Sequence, residues 1–158
     1  MDKTKKSTKS ILIQYLLLAL FIAAVFIGDK QVNIWLGTRA IENTELPAIE
    51  FSQAMVQAKQ AKKPVLANFA AIWCPACRNL DNKVLSEPSV RNYILANFQY
   101  VRLEYEDKAN RQWFDQYGIS SFPSLLMINA DNNRSMEVAH TTDIPQFLAQ
   151  LQAFVPAE

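Results

Sequence analysis

Both cysteines of the chain lie in a single tetrapeptide, Cys74-Pro75-Ala76-Cys77, and the placement of this motif limits how the chain folds and acts. A nearly continuous apolar run, residues 65–71, comes directly before the motif, and such a run is typical of a strand buried on both faces. A helix is expected to begin at the motif itself. A small secreted domain held by disulfides spreads roughly four to eight cysteines along its chain. Two cysteines in one motif therefore indicate a reactive pair.

Thiol–disulfide exchange requires one thiolate that attacks and a second thiol that resolves the mixed disulfide. Cysteines three residues apart on a helix present both sulfurs on the same face. Free backbone N–H groups at the start of the helix stabilise a thiolate on Cys74, and Pro75 loses no helical hydrogen bond there. We expect Cys74 to be the exposed nucleophile and Cys77 the buried resolving thiol. Trp73 is expected to shield one side of the pair, with a plain core tryptophan as the alternative.

Other uses of a cysteine pair make demands that this sequence does not meet. A zinc site requires about four ligands, and two cysteines with one distant histidine, His140, do not complete one. Covalent haem attachment requires C-x-x-C-H, and the residue after the motif is Arg78. We find no glycine-rich nucleotide motif, so we expect neither metal nor cofactor. His140 is predicted to be a surface loop residue, and a purely structural disulfide remains an alternative for the pair.

The N-terminus has the composition of a membrane signal. Residues 1–10 carry four lysines and one acid, and residues 11–27 contain no charged side chain. The apolar run is at the short edge of the roughly 17–25 residues of a spanning helix, and it is longer than the core of a typical signal peptide. We predict an uncleaved transmembrane signal anchor over residues 11–28, with the basic tail in the cytoplasm. A cleaved signal peptide and a buried core helix are the alternatives.

The remaining chain divides into a spacer, residues 29–49, and a globular domain, residues 50–158. In the spacer, Ile34, Trp35 and Leu36 suit either the membrane interface or the surface of the domain. Strand and helix patterns alternate within the domain, which predicts an α/β sheet with right-handed crossovers. Helices are predicted over 51–62, from 74, over 90–98, over 109–117 and from 144, and strands over 65–71, 100–105, 124–128 and 135–139.

The motif and its surroundings resemble the thioredoxin superfamily. KPVLANFAAIWCPAC, LSEPSV and YGISSFPSLLMINADN are similar to the C-terminal periplasmic thioredoxin-like domain of the DsbD family of transmembrane reductases, over roughly residues 51–155. The resemblance implies a central mixed sheet flanked by helices and a cis Phe122–Pro123 bond, which places the preceding backbone to pair with a substrate chain. An ordinary trans proline is the alternative. The substrate-binding residues that it implies are Trp73, Pro75, Phe122 and Pro123.

Two positions concern the proton of the resolving thiol. Many thioredoxins carry a buried acid five residues before the tryptophan of the motif, and here that residue is Asn68. An amide cannot accept the proton of Cys77. Asp81, one turn beyond Cys77, matches a position that is acidic in the DsbD-type domain. It is the candidate catalytic proton acceptor, with a solvated aspartate on the helix surface as the alternative.

The sequence thus predicts a single-pass protein of the inner membrane with a thiol–disulfide oxidoreductase domain in the periplasm or outside. Its expected partners are thiol or disulfide proteins, an upstream redox partner, and the membrane through residues 11–28. The formal net charge of +1 gives no sign of nucleic-acid binding. Reduction of protein disulfides is the preferred direction, although direction depends on a reduction potential that the sequence does not fix. A disulfide-donating oxidase and a non-catalytic adaptor or chaperone are the alternatives.

Overall fold

A four-stranded mixed sheet lies at the centre of the described residues, 8–47 and 49–155 of this computed structural model. Strand β1 pairs in parallel with β2 and antiparallel with β3, and β3 pairs antiparallel with β4. The predicted strands are confirmed to within one residue at each end. They are β1 (Val65–Ala70), β2 (Gln99–Glu104), β3 (Ser124–Ile128) and β4 (Ser135–Val138).

Strand β1 is buried along its whole length, as its apolar run predicts. Successive side chains of a strand point to opposite faces. Leu66 accordingly packs into one apolar cluster of the core, and Val65 and Phe69 pack into another. Asn68 is the one polar residue of the strand and lies on the same face as Leu66.

The helices predicted for the globular domain are confirmed, with limits that shift by a few residues. The first turn of the last helix is capped by Asp143, whose carboxylate accepts the N–H of Gln146 at 2.8 Å. His140 is exposed in the loop before this helix, as predicted. The helices are α1 (Thr8–Thr44), α2 (Phe51–Ala61), α3 (Pro75–Leu80), α4 (Pro88–Asn97), α5 (Arg111–Gln116) and α6 (Ile144–Phe154), with a π-helical turn at Asp81–Leu85 and a 3-10 turn at Lys108–Asn110.

Helix α1 runs without a break from the predicted membrane segment into the predicted spacer. It is long and apolar enough to cross a membrane, and none of its most apolar stretch is buried by the domain. The alternative of a buried core helix is therefore wrong. Residues 1–7 of the predicted cytoplasmic tail lie outside the described residues.

The second half of α1 packs against the domain instead of forming a loose connection. Ala40 is fully buried and Thr44 is 3 % exposed. Ile34 is partly buried, whereas Trp35 and Leu36 are exposed. Of the three residues whose environment the sequence left open, Ile34 therefore lies on the side of the helix that faces the domain, and the other two lie on its exposed side.

Candidate active site at the cysteine pair

Cys74 and Cys77 are joined by a disulfide at the start of α3, with their Cα atoms 5.3 Å apart. Cys74 occupies the N-cap position with extended backbone (φ −75°, ψ 117°), and Pro75 is in the first turn. The sulfur of Cys74 accepts the backbone N–H of Cys77 at 3.1 Å. The proline fits here because a first-turn N–H has no partner within the helix. The local sequence thus directs a backbone donor at one sulfur of the pair.

The expected exposure of the nucleophile is wrong for this disulfide-bonded state. Cys74 is only 5 % exposed and Cys77 is 1 % exposed. Ala70 and Ala71 at the end of β1 form a small apolar cluster with both cysteines, and Phe122 packs against it. The disulfide holds the Cys74 side chain inside this cluster. Cys74 is still the more accessible sulfur-bearing residue of the two.

Aromatic side chains form the rim of the cysteine pair. Trp73 is 48 % exposed, so the alternative of a core tryptophan is wrong. Its ring meets the ring of Phe122 edge-on, with the centroids 6.4 Å apart. The Phe122–Pro123 bond is cis, as the resemblance implied, and the trans alternative is wrong. Phe122 also packs against Tyr105, at 5.2 Å between ring centroids.

Asp81 is buried beneath the helix that carries the cysteines. Its side chain is 1 % exposed, so the alternative of a solvated surface aspartate is wrong. Both carboxylate oxygens accept the same Nη1 donor of Arg102, at 2.9 and 3.0 Å. The backbone N–H of Asp81 bonds to the carbonyl of Cys77, which fixes the acid one turn beyond the resolving cysteine.

Burial sets the protonation of this acid. Removal from water raises the pKa of Asp81 to about 6, and the neighbouring Arg102 guanidinium only partly opposes the shift. Burial likewise raises the pKa of Tyr100, to about 12. Burial by itself would lower the pKa of Arg102, but the facing Asp81, Tyr100 and Glu104 raise it above its ordinary value. At neutral pH the cluster thus holds an ionised Asp81 against a charged Arg102.

Arg102 is the member of this cluster that the sequence analysis missed. It lies in β2 with its side chain 9 % exposed, and its Nε donates to Glu104. A signal was present, because Arg102 falls between Tyr100 and Glu104 on one face of an alternating strand. Its partner Asp81 lies on a different element. The sequence did not show that this element packs against β2, so the ion pair could not be predicted.

Asn68 occupies the β1 position that faces the same cluster. It is fully buried, pairs across the sheet with Arg102, and donates its Nδ2 to the hydroxyl of Tyr100 at 3.1 Å. Among the described residues, its Oδ1 has no hydrogen-bond partner. The acid of this cluster is therefore Asp81, on the helix side, and the central strand contributes an amide in its place.

Comparisons with known proteins agree on one family. Residues 47–130 match the model of a family described as thioredoxin-like. Thiol:disulfide interchange protein DsbD 1 of Pseudomonas aeruginosa is 31 % identical over 87 residues, which cover 54 % of this chain and 14 % of that protein. Disulfide bond reductase DsbH of Chlamydia pneumoniae is 22 % identical over 107 residues, covering 61 % of this chain and 64 % of that protein.

A solved structure has the same fold at lower sequence identity. The C-terminal domain of Neisseria meningitidis DsbD, in its oxidised form, superposes with a TM-score of 0.53 at 17 % identity, covering 65 % of this chain and 90 % of that domain. The chain thus corresponds to nearly all of an isolated domain, but it spans only 14 % of the length of the matched DsbD protein.

Proposed function

The chain belongs to the thioredoxin-like family of disulfide oxidoreductases, and on this basis we propose that it is a membrane-anchored reductase of protein disulfides that acts outside the cytoplasm. The observation that carries the proposal is the Cys74–Cys77 disulfide at the start of α3, with a backbone donor directed at the Cys74 sulfur. A structural disulfide has no need of that donor, whereas a thiolate nucleophile is stabilised by it.

The exchange proceeds in two balanced steps. In the reduced enzyme, the Cys74 thiolate attacks one sulfur of the partner's disulfide, and the other partner sulfur leaves as a thiolate. The Cys77 thiolate then attacks the sulfur of Cys74, which restores the intramolecular disulfide and releases the second partner thiol. Two electrons pass to the partner. An upstream dithiol protein must supply two electrons to reduce Cys74–Cys77 again, because the chain carries no flavin or nicotinamide motif.

Asp81 is the proposed proton acceptor for Cys77. The resolving thiol must lose its proton before it attacks, and Asp81 is the acid held one turn away. With its pKa raised by burial to about 6, the carboxylate is ionised at neutral pH yet basic enough to take a proton. Arg102 acts through Asp81 as a positioning residue, since it binds both carboxylate oxygens.

The rim of the cysteine pair is the proposed substrate surface. Trp73 and Pro75 are exposed beside the disulfide, and Phe122 and Pro123 are partly exposed. An extended substrate segment that lies along this rim presents its disulfide to Cys74. The apolar N-terminal half of α1 supplies the proposed membrane anchor.

A single-turnover assay with the full chain in detergent micelles tests this function. The enzyme is reduced, freed of reductant and mixed with a fluorescence-quenched peptide that contains a disulfide. We expect one peptide disulfide to be reduced per enzyme molecule, and no reduction by Cys74→Ser. Ser52→Ala, a change at an exposed residue of α2, serves as the control and should match the wild type. If the wild type reduces no peptide, or if Cys74→Ser reduces it as fast as the wild type, the proposal fails.

A further inference from the structure

The second half of α1, residues 29–44, is held against the cysteine motif, and we refer to it as the arm. Gly37 lies in close contact with the segment that precedes the motif. A Cβ atom at this position would lie 2.0 Å from the carbonyl oxygen of Ile72, a distance that real Cβ atoms do not adopt. Ile72 is two residues before Cys74. Glycine is therefore required for the arm to lie this close to the active-site segment.

Polar contacts hold the arm on both sides of this point. Arg78, in the cysteine-bearing helix α3, donates to the Asn33 Oδ1 atom of the arm at 2.9 Å. Asn43 donates to Asn82 at 3.2 Å, further along the arm. Ala40 is fully buried between these contacts. The arm and the active site thus form one packed unit, and the membrane segment of α1 continues directly into that unit.

A cleft of about 380 Å³ opens between the arm and the cysteine motif. Ile34, Ile72 and Trp73 give it an apolar part, and charged groups stand at its edge. Those charged residues are Asp29, Lys30 and Glu106. The cleft therefore suits a short peptide segment with both apolar and polar side chains, and it lies next to the residue that precedes the nucleophile.

The position of this cleft along α1 fixes its height above the bilayer. The apolar run ends at Ile27, and a helix rises about 1.5 Å per residue. The arm residues of the cleft, from Asp29 to Ile34, thus lie roughly 3–10 Å beyond the hydrocarbon. The headgroup zone on one side of a bilayer is about 5–8 Å thick. Trp73 lines the same cleft, and tryptophan is a favoured residue at the membrane interface.

We propose that the cleft docks a juxtamembrane segment of a membrane-embedded disulfide protein, so that the enzyme selects its partner by height above the bilayer. This inference rests on the proposed anchored reductase and names the partner of the same site. A freely diffusing protein has no tether to hold it at the level of the cleft. A segment that emerges from the bilayer beside α1 already lies at the level of the cleft.

Vesicles that contain the full chain test this inference. The probe is one disulfide peptide in three forms: attached to a lipid by a short spacer, attached by a long flexible spacer, or free in solution. Single-turnover reduction by the reduced enzyme is followed at equal surface density of the two lipid-linked forms. We expect the short-spacer peptide to react about tenfold faster than the long-spacer peptide, because its effective concentration at the cleft is higher.

A flexible insertion between Ile27 and Gly28 is the decisive variant. It leaves the arm packed on the domain but releases the domain from a fixed height, so the spacer preference should disappear while reduction of the free peptide is unchanged. Equal rates for both spacers in the wild type, or a preference that survives the insertion, would overturn the inference. Failure to reduce the free peptide as well would instead overturn the proposed reductase function.

Discussion

Asp81 and Arg102 form a buried ion pair. Substituting Asp81 tests its role in the resolving step, and substituting Arg102 tests the contribution of the pair to the stability of the fold. In Asp81→Asn, the amide keeps the size of the side chain but cannot accept a proton. We expect the resolving step to slow by about 100-fold at neutral pH, the lower range for loss of a general base. Rapid-mixing measurements of mixed-disulfide decay would show this. Asp115→Asn, at an exposed position of α5, is the matched control.

The same variant predicts a change in pH dependence. The pKa of Asp81 is raised to about 6, so its carboxylate ionises as pH rises from 5 to 7. The rate of the wild-type resolving step should therefore show a stepwise increase over this range. Asp81→Asn should lack this step and keep only the gradual rise that comes from the thiols. A step of the same size in both proteins would assign the titration to another group and remove Asp81 from the mechanism.

Arg102→Gln should destabilise the fold in a pH-dependent manner. Without the guanidinium, burial raises the pKa of Asp81 further above its ordinary value of 3.8. A group whose pKa is higher in the folded state contributes stability at low pH that is lost as pH rises through the folded pKa. We expect a loss of about 3–5 kcal/mol at pH 8 and a smaller loss at pH 5.

Denaturant unfolding of the full chain in micelles at these two pH values measures the effect. Arg111→Gln, at an exposed position, should change little at either. A loss for Arg102→Gln that is equal at both pH values would contradict the further rise in the pKa of Asp81 when the guanidinium is removed.

Cys77→Ser tests the division of roles within the pair. Removing the resolving thiol should leave Cys74 able to attack but unable to complete the exchange, so mixed disulfides with the peptide substrate accumulate. Mass spectrometry of acid-quenched samples would detect them. If Cys74 in this variant is not alkylated near neutral pH, then it is not the nucleophile.

The role of Asp81 as proton acceptor stays a prediction. At the residue level, Cys74 and Cys77 could be identified because the motif is local, and Asp81 and the cis Phe122–Pro123 bond followed from the resemblance to the thioredoxin superfamily. Arg102 and the low exposure of Cys74 did not, because both depend on elements distant in sequence. The position of Arg102 depends on how β2 is placed relative to α3. The low exposure of Cys74 depends on the packing of Phe122 against the disulfide.

Helix α1 is the element for which sequence and structure differ most. The strands were predictable because their apolar or alternating patterns are visible within a few consecutive residues. The helical arm was not, because the residues that contact the domain are small or polar: Asn33, Gly37, Ala40 and Thr44. These positions follow a helical period but carry no large apolar side chains, so the pattern lacked the amphipathic signal by which a packed helix is recognised.

Two glycines of α1 provide a matched pair for testing the arm. Gly37→Ala places a methyl group against the Ile72 carbonyl, whereas the same change at Gly28 meets nothing within 4 Å. We expect Gly37→Ala to destabilise the packed arm by about 1–3 kcal/mol and to expose the arm to protease. Gly28→Ala should be neutral or stabilising by up to about 1 kcal/mol, since alanine favours helices. Equal protease sensitivity of the two variants would show that the arm is not packed on the domain.

At the scale of the whole molecule, one continuous helix joins a stretch suited to a membrane with a thioredoxin-like domain. The family and fold follow from a sequence motif, and the direction of exchange does not. Direction depends on how strongly the reduced pair is stabilised relative to the disulfide. We expect the buried Asp81–Arg102 pair and the partly buried Glu104 to alter that balance, and a motif does not specify them.

The reduction potential of the Cys74–Cys77 pair tests the proposed reductase most directly. The full chain in micelles is equilibrated with glutathione or dithiothreitol buffers, and the fraction of disulfide is measured after acid quenching and thiol labelling. We predict a value near about −270 mV, where thioredoxin lies. A value near about −120 mV, where DsbA lies, would make the protein a disulfide donor and contradict the proposed direction.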